Sequence, residues 1–139
     1  MLFMDSSLLI AAGASFVAGL LGYIIARLWV KPIVRYNIVK RRLGATLTRY
    51  LQQIPATPDD AKTANDPSAA ETMLRSARKL AMELLSHYTY DIPYWYRLLL
   101  DSRQESPSQA SGLLTNLNKM HDPLQRRLRI DAVRKELKL

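Results

Sequence analysis

Cysteine is absent from the 139-residue chain, which excludes disulfides, thiol nucleophiles and cysteine-ligated zinc. Glycine is almost as sparse beyond residue 30, where Gly44 and Gly112 stand alone, so no glycine-rich loop is present to cradle a phosphate. Histidine is limited to His87 and His121, and neither has a second histidine at metal-ligand spacing. Glu83 and His87 fall one helical turn apart, but a carboxylate and an imidazole without a nucleophile or metal beside them carry no reaction. No segment alternates apolar and polar residues in the period of a strand. Acidic residues are missing throughout Arg27 to Ile54, where seven basic residues stand. These absences lead to the expectation of an all-α chain that catalyses no reaction and needs no cofactor or metal.

The stretch Leu8 to Ala26 holds no charged side chain. At ~1.5 Å per residue its nineteen positions reach about 28 Å, the thickness of a bilayer's hydrocarbon core. A soluble helix of this length would carry a polar face, and here only Ser15 and Tyr23 are polar. A signal peptide would open with a positive segment, whereas Met1 to Ser7 has no Lys or Arg and includes Asp5. Residues 1–31 are therefore expected to be an uncleaved transmembrane anchor. Arg27, Lys31, Arg35, Lys40, Arg41, Arg42 and Arg49 all follow the span, so the positive-inside rule puts the N-terminus outside and the rest in the cytoplasm, in an inner membrane of bacterial type. Tyr23 and Trp29 belong near the inner interface, where amphipathic rings are favoured.

Within the span Ala14, Ala18, Gly22 and Ala26 recur every fourth residue, beside a second small ridge of Ala11, Ser15 and Gly19. Small residues let two helices approach closely in lipid, so a second transmembrane helix, from a copy of this chain or another subunit, is the expected partner of the first ridge. After Pro32, which marks a kink or a fresh helix start, residues 32–54 place Tyr36, Val39, Leu43, Leu47, Tyr50, Leu51 and Ile54 at helical spacing. This is an amphipathic juxtamembrane helix. Its early half is expected on the membrane, with Arg35, Lys40, Arg41 and Arg42 against anionic lipid, and its later half is expected to pack on the domain.

Residues 55–67 contain three prolines, three aspartates and no large apolar side chain, and read as a linker. Asp59, Asp60 and Asp66 lack the spacing and closing glutamate of a calcium loop. Residues 68–139 read as a cytoplasmic domain of about four helices. Ser68 and Glu71 form a capping box for the first, which carries Met73, Leu74, Ala77, Leu80, Ala81, Leu84, Leu85 and Tyr88 on one face. Pro93 opens the second, Ser106 and Pro107 the third, and Asp122 and Pro123 the last. Leu124, Leu128, Val133 and Leu137 are expected to face inward from that last helix, with its arginines and lysines outward.

Tyr90, Tyr94, Trp95 and Tyr96 are four of the chain's nine tyrosines and tryptophans. A small core cannot absorb so many rings in so short a segment, so part of this cluster is expected to face lipid, a groove or a partner. Tyr94, Trp95, Tyr96 and Arg97 have the composition of an interface hot spot and are the expected protein-docking surface. Trp95 is expected to lie mainly in the core, with Tyr94 or Tyr96 on the outside. The functional expectation is an accessory subunit or adaptor that docks a protein at the cytoplasmic membrane face. The alternative is a membrane-tethered nucleic-acid-binding regulator, in which Gln125, Arg126 and Arg129 would reach for base edges.

Overall fold

The computed structural model describes residues 2–54, 67–120 and 122–139, which are helical apart from short connections, with no strand among them. Helix α1 (Leu2–Ile25) passes through one widened turn at Ala26–Val30 into α2 (Lys31–Gln53). From Ser6 to Gln53 this is a single helical run of 48 residues. The expected break at Pro32 does not occur. Proline's ring would crowd the carbonyl four residues back, and the widened turn just upstream, closed by the Lys31 N–H on the Ala26 carbonyl, accommodates it. The helix stops at Ile54, whose extended backbone is the conformation favoured before Pro55.

The linker expected at 55–67 lies almost wholly outside the described residues, as does His121. Helix α3 (Pro67–Ser86) begins on Pro67, so Ser68 lies inside its first turn. It continues through a second widened turn, His87–Asp91, and ends at Ile92, again extended before a proline. Helices α4 (Tyr94–Ser102), α5 (Pro107–Thr115) and α6 (Pro123–Glu136) complete the fold, with a 3₁₀ turn at Asn116–Lys119 after α5. Asp122 caps α6 by accepting the Leu124 N–H at 3.1 Å. At the end of α4, Gln104 takes the left-handed conformation usually left to glycine. This lets the Glu105 N–H reach the Leu100 carbonyl at 3.0 Å.

The core is built on α2. Tyr36, Val39, Leu43, Leu47 and Tyr50 are buried along one face, packed with Leu74, Ala77, Ala81 and Leu84 of α3 and with Leu100, Leu114, Ile130, Val133 and Leu137 from the later helices. Burial therefore begins at Tyr36, in the half of this helix expected to lie on lipid. Polar ties close the assembly: Arg78 Nε donates to the Leu114 carbonyl at 3.2 Å, and the Ser106 N–H donates to the Glu136 carbonyl at 3.2 Å. The last helix is phased differently from the expectation. Ile130, Val133 and Leu137 are buried, while Leu124 and Leu128 are 60% and 64% exposed.

Candidate functional site

Among the described residues one helix is long and apolar enough to cross a membrane, and its most apolar stretch is entirely unburied by the rest of the described protein. Ala14, Ala18, Gly22 and Ala26 are all exposed. A methyl group added at Gly13, Gly19 or Gly22 would meet nothing within 4 Å. At the end of this segment the Arg27 guanidinium donates to the Tyr23 hydroxyl at 2.8 Å, so the charge doubles back along the helix.

Beyond the segment the basic residues divide. Arg35, Arg41 and Arg42 are exposed. Lys40 instead sits 2.7 Å from the carboxylate of Glu105, with side-chain exposures of only 15% and 5%. This pair joins α2 to the connection between α4 and α5, and Glu105 was singled out by no sequence signal because its partner is 65 residues away. Beside it Tyr36 is fully buried, and its hydroxyl has no hydrogen-bond partner among the described residues. Burial first, and the Glu105 carboxylate second, raise its phenol well above the ordinary tyrosine range.

The four residues expected to form a docking surface do not act as one unit. Tyr96 is half-buried, edge-on to the Tyr36 ring with centroids 6.5 Å apart. The Arg97 guanidinium is turned inward. It donates to the Thr89 carbonyl at 2.6 Å and the Ile92 carbonyl at 3.2 Å, and lies over the Tyr88 ring. It thus satisfies carbonyls at the end of the second widened turn. Tyr94 is 74% exposed, and Trp95, expected mainly in the core, is 47% exposed. Trp95 meets Trp29 edge-to-face, with ring centroids 6.1 Å apart.

Two clefts flank the C-terminus. One is lined by Gln104, Gln109, Asp131 and Lys135, the other by Asn37, Arg41, Gly44 and Thr48, and Arg134, Lys138 and Leu139 border both. A third, smaller cleft gathers Arg35, Arg42, Glu83 and His87. His87 bridges Glu83, at 3.8 Å, and Asp91 through its two ring nitrogens. Among the described residues no group of three acidic or histidine side chains is arranged to hold a metal ion. Of the residues that would read bases, Arg126 is held by the Met120 carbonyl at 2.7 Å. Comparison of the chain with protein-family models, with curated proteins and with solved structures finds no match in any of the three.

Proposed function

We propose that this chain is a non-enzymatic single-pass membrane protein, an accessory subunit or adaptor that holds a helical domain at the cytoplasmic face and docks a protein partner there. The observation that carries the reading is the division of one continuous helix. From Ser6 to the widened turn its sides are open, and from Tyr36 to Tyr50 it supplies the centre of a packed core. A soluble core helix would be covered along its apolar part. A cleaved leader would not share an unbroken helix with the core of the mature domain. In this reading α2 is the amphipathic juxtamembrane helix and α3 to α6 form the small cytoplasmic bundle. Arg35, Arg41 and Arg42 face anionic lipid, and the open ridge of Ala14, Ala18, Gly22 and Ala26 receives another membrane helix.

Protein docking is favoured on the outer part of α6. There Leu124 and Leu128, one turn apart, stand out of the core beside the half-exposed Arg126, Arg127 and Arg129. This surface suits a segment with apolar and acidic side chains. Two measurements test the reading. Reporter fusions at Leu139 should be active only with a reporter that works in the cytoplasm, and activity only in an exported-side reporter overturns the topology. Mild-detergent extraction should recover the chain with a partner whose retention drops on Leu124→Glu/Leu128→Glu substitution. Recovery of the wild type alone and monomeric overturns the adaptor reading.

A further inference from the structure

We propose that α4 is a second membrane contact, lying in the headgroup layer with Tyr94, Trp95, Leu98 and Leu99 turned toward the lipid. The proposal rests on the reading that α1 spans the bilayer. It deepens that reading by giving the domain a fixed seat on the surface.

Three observations converge on it. The first is the pattern of exposure. Tyr94, Trp95, Leu98 and Leu99 are 74, 47, 51 and 39% exposed, and their spacing of i, i+1, i+4 and i+5 places them on a single face of α4. Leu100 on the other side is in the core, and Tyr96 packs against it. These four uncharged side chains form a large and continuous exposed face, bounded one turn beyond Leu98 by Asp101, and soluble proteins cover such a surface.

The second is height. The last uncharged position of the span is Ala26, so Trp29 lies about 5 Å beyond the hydrocarbon edge and Tyr36 about 15 Å beyond it, at ~1.5 Å per residue. Trp95 touches the ring of Trp29, and Tyr96 touches the ring of Tyr36. Trp95 is thereby placed at the level of a headgroup layer roughly 5 to 8 Å thick, while the Tyr96 ring, on Tyr36, lies on the side of α4 away from the membrane. The third is chemistry. Tyrosine and tryptophan are the side chains favoured at that level, with an apolar body and one polar atom, and Leu98 and Leu99 supply the part that reaches the acyl boundary, as in interfacial helices generally. The one cation of α4, Arg97, is withdrawn from this face to the Thr89 and Ile92 carbonyls, and its one anion, Asp101, accepts from the Tyr88 hydroxyl at 3.4 Å.

The test uses the full-length chain reconstituted into phosphatidylcholine–phosphatidylglycerol vesicles, with and without phosphatidylcholine brominated on its acyl chains. Three variants each leave one tryptophan: W95F keeps Trp29, W29F keeps Trp95, and W29F/W95F/L98W carries its only indole one turn further along α4. Far-UV circular dichroism and a cooperative melt establish that each retains the fold. Brominated lipid is expected to remove most of the emission of all three, with a blue-shifted maximum and little loss to aqueous iodide. If Trp29 is quenched by lipid while the indoles at 95 and 98 are quenched by iodide, α1 spans but α4 faces water, and the proposal is overturned. If the indole at 98 is shielded from both quenchers while the chain runs as an oligomer, the face belongs to a second copy, which also overturns it. Failure of brominated lipid to quench even Trp29 overturns the spanning reading, and this proposal with it.

Discussion

Lys40 is the basic residue whose role the fold changes most, and its substitution separates a lipid contact from a structural one. Its ammonium lies 2.7 Å from Glu105, with the carboxylate side 5% exposed. Exposed ion pairs contribute about 0 to 1 kcal/mol. Removing one member of a buried pair costs about 3 to 5 kcal/mol, because the other charge is left without compensation. The pair here is buried on the Glu105 side and nearly so on the Lys40 side, so Lys40→Met should cost about 3 kcal/mol, the low end of that range. Met preserves the stem and removes the charge. The double variant Lys40→Met/Glu105→Leu removes both charges, and should recover most of the loss, giving a coupling of 2 kcal/mol or more. The assay is reversible denaturant unfolding of the full chain in neutral detergent, where no anionic headgroup is present. Arg41→Met serves as the exposed neighbour and should change stability by less than about 0.5 kcal/mol. A cost below about 1 kcal/mol for Lys40→Met, or additive single substitutions, would refute the reasoning. Lys40 would then return to the set of lipid-facing cations.

Tyr36→Phe should stabilise the fold by about 1 kcal/mol, since it removes a buried hydroxyl without a partner and leaves the ring packing unchanged; a loss of stability in thermal unfolding would show that the hydroxyl is bonded. The same variant tests the pH sign: the native phenol holds its proton above pH 10.0, where the unfolded chain begins to lose it, so wild-type stability is intact below that pH and falls as pH rises beyond it. Tyr36→Phe should lessen that alkaline fall. Gln104→Gly should stabilise by up to about 1 kcal/mol, because the left-handed backbone at this helix end carries a cost for any residue with a Cβ; a destabilised variant in the same unfolding assay would mean the Gln104 side chain does more than tolerate the turn. Arg97→Lys should lower stability by about 1 kcal/mol or more, since an ammonium cannot span the Thr89 and Ile92 carbonyls as the guanidinium fork does. If the loss appears instead in partner retention with stability unchanged, Arg97 belongs to a docking surface after all.

The features readable from sequence are those whose cause is local. An uncharged run of membrane length is a property of consecutive residues, and so is the stripe Tyr36, Val39, Leu43, Leu47 and Tyr50, which the fold buries as its spacing implies. The proline ends and starts at Pro55, Pro93, Pro107 and Pro123 were equally legible, because X-Pro geometry acts on the neighbouring residue. The misplaced residues mark where local reasoning stops. The stripe drawn through Leu124, Leu128 and Val133 contains a step of five, which breaks helical phase; Ile130, Val133 and Leu137 keep it, and those are the buried ones. That signal was present in the spacing. The pairing of Lys40 with Glu105 and the inward turn of Arg97 had none, because a charged side chain's partner is chosen by tertiary approach.

The division of the chain also changes meaning once the core is seen. A boundary between juxtamembrane helix and cytoplasmic domain would expose Leu74, Ala77, Ala81 and Leu84, which close onto the buried face of α2. The cooperative unit therefore begins at α2, and α2 is continuous with the candidate span. A domain tethered by a flexible linker samples a wide range of heights and orientations. A domain whose central helix is itself the extension of the span does not, because bending a packed helix breaks its hydrogen bonds and its core together. The 23 residues of α2 reach about 35 Å beyond the widened turn, so under the proposed spanning of α1 a partner on the outer face of α6 would be held in a set direction relative to the bilayer. That geometry favours a subunit that positions its partner over one that searches for it.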